Sequence, residues 1–393
     1  MIHRAEPVGG PIINRFTSFL LGLVGISVIL LIWRFAAGLG ATTALNDGYP
    51  FGLWIAFEVV AGTALACGGY AVAILLYVFN KGEYHPLIRP ALLTSALGYS
   101  MAAFAIIIDV GRPWFIYRIP IRVGQWNLNS PLLEVALCVM AYVGVLWIEL
   151  APAFLEKWKE TGSGGLRRFA ESGLRFFDKA MIWIVSLGIL LPTMHQSSLG
   201  TVMLLGGPKL HKLWNTPLIP LLFLVSCIAM GYAVVIFESG VSGAVFGRPR
   251  HTAMLAKLSG AMVVVLALFL VIRFADLILR GRLGLMFHDW YSVLFWAEMA
   301  LFAVPLVMLS NARRRQHFPT LFKAASLMLF AGILYRFDTY LVAFNPGRQW
   351  TYFPSLVEIL VSVGVVSLEI LLYIAIVKRY PILAGRATAP EKA

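Results

Sequence analysis

One stretch of the chain, Leu191-Pro192-Thr193-Met194-His195-Gln196-Ser197-Ser198, sets an imidazole, an amide and hydroxyls just after a proline inside an apolar run. Proline lacks an N–H and distorts a helix, which frees a carbonyl beside those groups. Such a cluster suits hydrogen bonding to a carbonyl ligand and transfer of its proton near neutral pH; the alternative is a buried polar knot satisfied by its own neighbours. Asp109 and Arg112 stand three apart, the spacing of neighbours on one helix face, with Pro113 marking the end of the run. They read either as a salt bridge anchoring a helix end or as part of a site, and Arg273 with Asp276 repeats the spacing. Further carboxyl groups, Glu58, Glu134, Glu149, Glu298, Asp338, Glu358 and Glu369, also fall within apolar runs. Charge in such places is costly and marks pathways or sites.

The elements that position these groups follow from composition. Of 393 residues 60% are hydrophobic and 13% charged, against roughly 45–50% and about 25% in soluble domains. Mean hydropathy is +0.81. This is a membrane protein, and a soluble Rossmann enzyme, a solenoid or a disulfide scaffold is excluded. Apolar runs of about 20 residues cross roughly 30 Å of hydrocarbon. Ten such runs are expected, near 16–38, 52–79, 87–110, 129–152, 177–204, 215–239, 252–279, 290–311, 318–344 and 355–377. Runs this long without alternation mean helices rather than a barrel. The expected fold is all-α, a single polytopic domain over 1–393 arranged as two helix bundles, with 153–176 as the longest connection between spans.

Charge gives the orientation. Counting residues at span edges with the adjoining loop, Lys and Arg divide 21 to 8 in favour of the side that holds both termini, with Arg34, Arg273 and Arg336 inside spans. The positive-inside rule puts both termini in the cytoplasm. The net charge of +13 is therefore explained by basic loops, without nucleic acid. On this orientation Glu58, Asp109, Arg112, Glu134, His195, Arg273, Asp276, Glu298, Arg336, Asp338 and Glu358 lie nearer the outer face. Glu149, Asp178 and Glu238 sit at cytoplasmic ends, and Glu369 near mid-depth. At 1.5 Å per residue Glu134 and Glu149 are roughly 22 Å apart on one helix, so they can mark two ends of a proton route but not share a site. Arg273-Phe274-Ala275-Asp276 faintly echoes Arg336-Phe337-Asp338, too short a match to establish a repeat. Gly62, Ala66 and Gly69 have the spacing of close helix packing.

Cys67, Cys138 and Cys227 lie apart in apolar runs with no C-x-x-C pair, so no metal or iron–sulfur framework is read. Of the seven histidines only His195 is well inside a span, which leaves no facing pair for a b-type haem. From the residues alone the choice is a pathway for solutes or ions, or a site for a lipid-soluble molecule.

Several motifs carry a resemblance. Gly52 to Glu58, Ala66 to Gly69, Tyr77 to Pro86, Asp109-Val110-Gly111-Arg112-Pro113, Asn129-Ser130-Pro131, Leu191 to Ser198 and Val342 to Pro346 resemble the polysulfide-reductase-type (NrfD-like) family. Within it the chain is most like the integral membrane subunits of hydrogenase-2 type uptake nickel–iron hydrogenases. The likeness runs nearly end to end. It implies a haem-free, quinone-reactive anchor in the bacterial cytoplasmic membrane, without an iron–sulfur cluster of its own. Such a subunit passes electrons from an external iron–sulfur partner, joined to the hydrogenase large and small subunits, to menaquinone or ubiquinone.

On that implied role, His195, Asp109, Arg112, Gln196 and Ser197 are expected around the quinone. Glu58, Glu134, Glu149, Glu298, Asp276, Asp338 and Glu369 are the expected proton relay, with Glu149 or Glu369 serving if protons come from the cytoplasm. Arg112 is expected to hold Asp109 charged or to help dock the partner. The rival reading is a secondary transporter or ion carrier, which draws on the same buried charges and on Gly- and Pro-interrupted spans.

Overall fold

The computed structural model describes residues 5–385. His3, and Arg4, Arg386 and Lys392 of the charge count, lie outside them. Ten long helices follow one another: α1 (Arg15–Ala37), α2 (Ile55–Val78), α3 (Gly82–Asp109), α4 (Pro131–Thr161), α5 (Gly164–Leu205), α6 (Ile219–Phe246), α7 (Thr252–Leu279), α8 (Trp290–Ser310), α9 (Phe318–Val342) and α10 (Leu356–Arg379). All but α5 are counted as candidate spans by length and apolarity, nine among the described residues. The expected span 177–204 is the apolar C-terminal part of α5, which runs for 42 residues, about 63 Å at the helical rise. No named strand occurs among the described residues.

One expectation needs correcting. The segment 153–176 is not a loop, because α4 continues to Thr161 and α5 begins at Gly164, leaving only Gly162 and Ser163 between them. Hydropathy falls at the membrane edge, but Glu, Lys, Arg and Leu remain good helix formers there, so the helices run on as a hairpin.

Local chemistry sets the ends. Asn14, Asp289 and Ser355 cap α1, α8 and α10 through reciprocal bonds with Thr17, Ser292 and Glu358. Ser130 caps α4, where Pro131 takes the first position and needs no donor. Helix α2 is less regular. It widens into π-helical turns at Ile55–Ala61 and Ile74–Val78, and α9 ends in another at Asp338–Val342. Such turns are frequent at functional sites.

Packing divides the molecule into α2–α5, α6–α9 and the pair α1 with α10, which lies against α3. Helices α2 and α6 form the centre. A methyl group on Gly231 of α6 would come within 2.5 Å of the Cys67 carbonyl of α2, so glycine permits the contact between the halves. Gly98 of α3 likewise sits on Ala66 of α2. Large exposed side chains such as Phe19, Ile29, Trp183, Val264 and Val271 make an apolar outer surface, as lipid requires.

Candidate functional site

Where α2, α3, α5, α6 and α9 meet, the structure ties polar side chains into a knot. His195 and Gln196 are fully buried. His195 Nε2 lies 3.3 Å from the Thr63 hydroxyl oxygen, and the Gln196 amide donates to that oxygen at 2.9 Å and to Tyr99 at 3.4 Å. Helix α5 continues through Pro192. From α9 the Arg336 guanidinium donates to Gln196 Oε1 at 3.1 Å, Ser226 Oγ at 3.1 Å, the Phe223 carbonyl at 3.2 Å and Met230 Sδ at 3.4 Å. It also lies over the Phe223 ring. Each of those acceptors is neutral. A fully buried positive charge therefore stands beside His195 with only dipoles to balance it.

One turn toward the C-terminal end of both helices, a second tie joins them, with the Tyr340 hydroxyl donating to the Leu199 carbonyl at 2.6 Å. Above it lies a cavity of about 230 Å³ whose wall includes Tyr49, Phe51, Val202, Met203, Tyr340 and Phe344. Leu132 and Leu205 stand on its rim, 50% and 70% exposed, so it opens sideways to the apolar outer surface. Ligand pockets run at roughly 300–1,000 Å³. A space of this size admits one ring-sized headgroup and leaves a tail outside. Tyr49 donates to the Phe344 carbonyl at 2.9 Å and closes the far wall.

The expected quinone residues are thus partly separated. His195 and Gln196 share the knot beneath the cavity, whereas Ser197 bonds back to the Thr193 and Met194 carbonyls of its own helix. Asp109 and Arg112 belong elsewhere. Arg112 is exposed, and no ion pair joins it to Asp109 among the described residues. Arg34 of α1 takes that place. Its guanidinium donates to the carbonyls of Ile108 at 2.6 Å and Val110 at 2.7 Å, at the end of α3, and acts electrostatically on Asp109. The carbonyls at a helix end carry partial negative charge, which explains a buried arginine there.

The carboxyls divide into two groups. In the second half Arg273 lies over the Phe295 and Tyr335 rings, and Glu298 feels its charge and that of Asp338. Glu298 also accepts from Trp214 at 2.9 Å. The expected pair of Arg273 with Asp276 does not form; Asp276 accepts from Thr216 at 2.7 Å and faces Arg280 at 3.9 Å. Around α10 gather Glu58, Glu369 and Glu358. Glu358 is held by the amides of Ala44 and Ser355 and by the Tyr352 hydroxyl, so it is a helix cap. Glu134 lies beside Cys138, and Glu149 packs on Gly188 of α5. Tyr49, Tyr340, Arg34 and Tyr373 were not foreseen as site residues. For two of them the signal was spacing, since Tyr340 follows the buried Arg336 by four and Tyr373 follows the half-buried Glu369 by four.

Among the described residues no group of three or more His, Cys, Asp or Glu is placed to hold a metal ion. His85, His211, His251, His288 and His317 lie at helix ends or in connections, so among the described residues no second histidine faces His195 across the helices.

Comparison with known proteins gives the family of the chain. The family described as "Polysulphide reductase, NrfD" matches residues 41–343. The chain is 42% identical to the "Probable Ni/Fe-hydrogenase 2 b-type cytochrome subunit" of Escherichia coli (strain K12), over 98% of this chain and 96% of that one. It is 27% identical to the "Menaquinone reductase, integral membrane subunit" of Nitratidesulfovibrio vulgaris, covering 91% of this chain and 88% of the other.

Proposed function

Because the chain belongs to the NrfD polysulphide reductase family of membrane subunits, we propose that it is the quinone-linked membrane subunit of a hydrogenase complex. It lies in the bacterial inner membrane with both termini in the cytoplasm, as the basic loops require. An external iron–sulfur subunit, joined to the nickel–iron subunits, delivers electrons at the outer face. The quinone, menaquinone or ubiquinone, is substrate rather than resident cofactor, and electrons run from hydrogen to quinone. Neither a haem nor a cluster on this chain has a step here, since only His195 among the described histidines is well inside a helix.

The observation that carries the reading is the side-opening cavity set one turn above an uncompensated buried arginine. A quinone headgroup enters it from lipid past Leu132 and Leu205. The Tyr49 and Tyr340 hydroxyls lie at its wall, and the Arg336 charge beneath favours electron arrival on the ring, as a preorganised positive site does for developing negative charge. Gln196 and Thr63 hold Arg336 and His195 in register. The transporter reading has no comparable observation in its favour.

The test is a fluorescence-quench titration of the purified chain with a quinone-analogue inhibitor. Leu205→Trp narrows the rim and Val202→Phe fills the cavity; each is expected to weaken binding at least tenfold while the protein stays folded. Unchanged saturable binding in both variants overturns this placement of the quinone.

A further inference from the structure

Building on that function, we infer that α10 carries a proton line from the face holding the termini to the Glu58 carboxyl, so that quinone takes its protons from that face. The entrance is open space. A cavity of about 1110 Å³ between α3, the α4–α5 hairpin and α7 shares Pro86, His251 and Ala384 with a small neighbour, which reaches Glu238, Ser239 and Ser242 at the end of α6. There the Tyr373 hydroxyl of α10 donates to Glu238 Oε1 at 2.6 Å and lies 3.4 Å from Ser242 Oγ.

The line then follows one face of α10. Glu369 is one turn from Tyr373, and its carboxyl lies over Gly98 of α3, where a methyl group would come within 3.4 Å of Oε1. Two turns farther, Ser362 is buried and faces Glu58 of α2, which is also within electrostatic range of Glu369. Glu58 is 5% exposed, and neither of its oxygens has a hydrogen-bond partner. A buried carboxyl so placed is expensive unless it has work or water. It sits on the π-helical turn Ile55–Ala61, and Phe51, in the wall of the quinone cavity, lies just ahead of that helix. From Ser362 to Glu369 is about 10 Å along the axis, the longest step, crossed by Glu369 turning toward Ser362. Glu149 packs instead on α5 and stands outside the line.

The balance is simple. Quinone accepts two electrons from the external iron–sulfur donor and two protons through Glu58, giving quinol. Hydrogen releases its two protons at the opposite face, so each electron moves one charge across the membrane.

The test uses the intact hydrogenase complex in quinone-loaded liposomes, its hydrogenase subunits facing outward, with a pH dye inside. Wild type is expected to raise the internal pH as hydrogen reduces quinone. Glu369→Gln and Tyr373→Phe are expected to cut that rise per unit time at least tenfold, while hydrogen-driven reduction of a viologen dye stays within twofold. Internal alkalinisation at the wild-type rate in both variants overturns the line. So does quinone reduction by wild type with no internal change, which leaves the function standing. No quinone reduction by wild type removes function and line together.

Discussion

The two sets of membrane-buried carboxyls differ in what accompanies them. In the second half Glu298 lies within electrostatic range of Arg273 and beside Asp338, accepting from a tryptophan, while Arg273 lies over aromatic rings. Along α10 the carboxyls of Glu58 and Glu369 have no cation between them; Arg34 stands at the outer end, and an open cavity lies at the other. A fixed cation among acids favours one charge state and one geometry, which suits bracing. Acids without one, reached from solvent, are not locked into one charge state by a neighbouring cation. Position in the sequence suggests the same role for both sets, and their partners separate them.

Removal of the cation is expected to have the largest effect. Arg273→Ala leaves the buried Glu298 carboxyl without its nearby cation, and the loss of one member of a buried ionic group costs up to about 3–5 kcal/mol. Thermal unfolding in detergent, followed by tryptophan fluorescence, is expected to show a large drop. Most of it is expected to return when Glu298→Gln is added, because the acid that needed Arg273 is then neutral. If Arg273→Ala leaves stability intact but abolishes internal alkalinisation in liposomes, the second-half set conducts and the contrast is broken.

A smaller loss is expected where the two sets are most alike. Arg34 is a buried cation acting on Asp109, and its two bonds go to carbonyls at the end of α3. Arg34→Leu is expected to destabilise by roughly 1–3 kcal/mol, the cost of leaving such acceptors unpaired. Proton delivery per quinol is expected to survive in the fraction that folds. Loss of coupling without loss of stability would move Arg34 into the line and blur the distinction.

How much of this could be read beforehand follows from what each signal reports. The helices were legible because a bilayer of fixed thickness demands apolar runs of fixed length, and only the continuation of α4 and α5 past the membrane edge escaped. Residue types were legible too, His195 and the carboxyls among them. Partners were not. Arg336 meets Gln196 across 140 positions and Arg34 meets Val110 across 76, and nothing local announces either. The pairings inferred from i,i+3 spacing, Asp109 with Arg112 and Arg273 with Asp276, did not form: Arg112 is exposed, and Asp276 accepts from Thr216. Such spacing makes contact available on a helix, whereas in lipid the stronger acceptors sit on neighbouring helices and at helix ends.

The smallest effect tests bracing at the outer end of the second half. His211, in the connection before α6, stacks on Tyr291 and lies 3.1 Å from Asp289, the cap of α8. Burial pulls its pKa below the ordinary histidine range, although Asp289 opposes the shift and Lys212 adds to it. The unfolded chain, with histidine near 6.5, therefore binds more protons than the folded one as pH falls through that range. Stability is full above it and declines below, with a positive slope of stability against pH. The group is about half-buried, so solvent screening keeps the change under about 1 kcal/mol. Thermal unfolding at pH 5.5 and 7.5 is expected to separate more for wild type than for His211→Gln, with internal alkalinisation at pH 7.5 alike in both. A variant that unfolds like wild type at both values while losing alkalinisation would place His211 on a proton path and give the second half the role assigned here to α10.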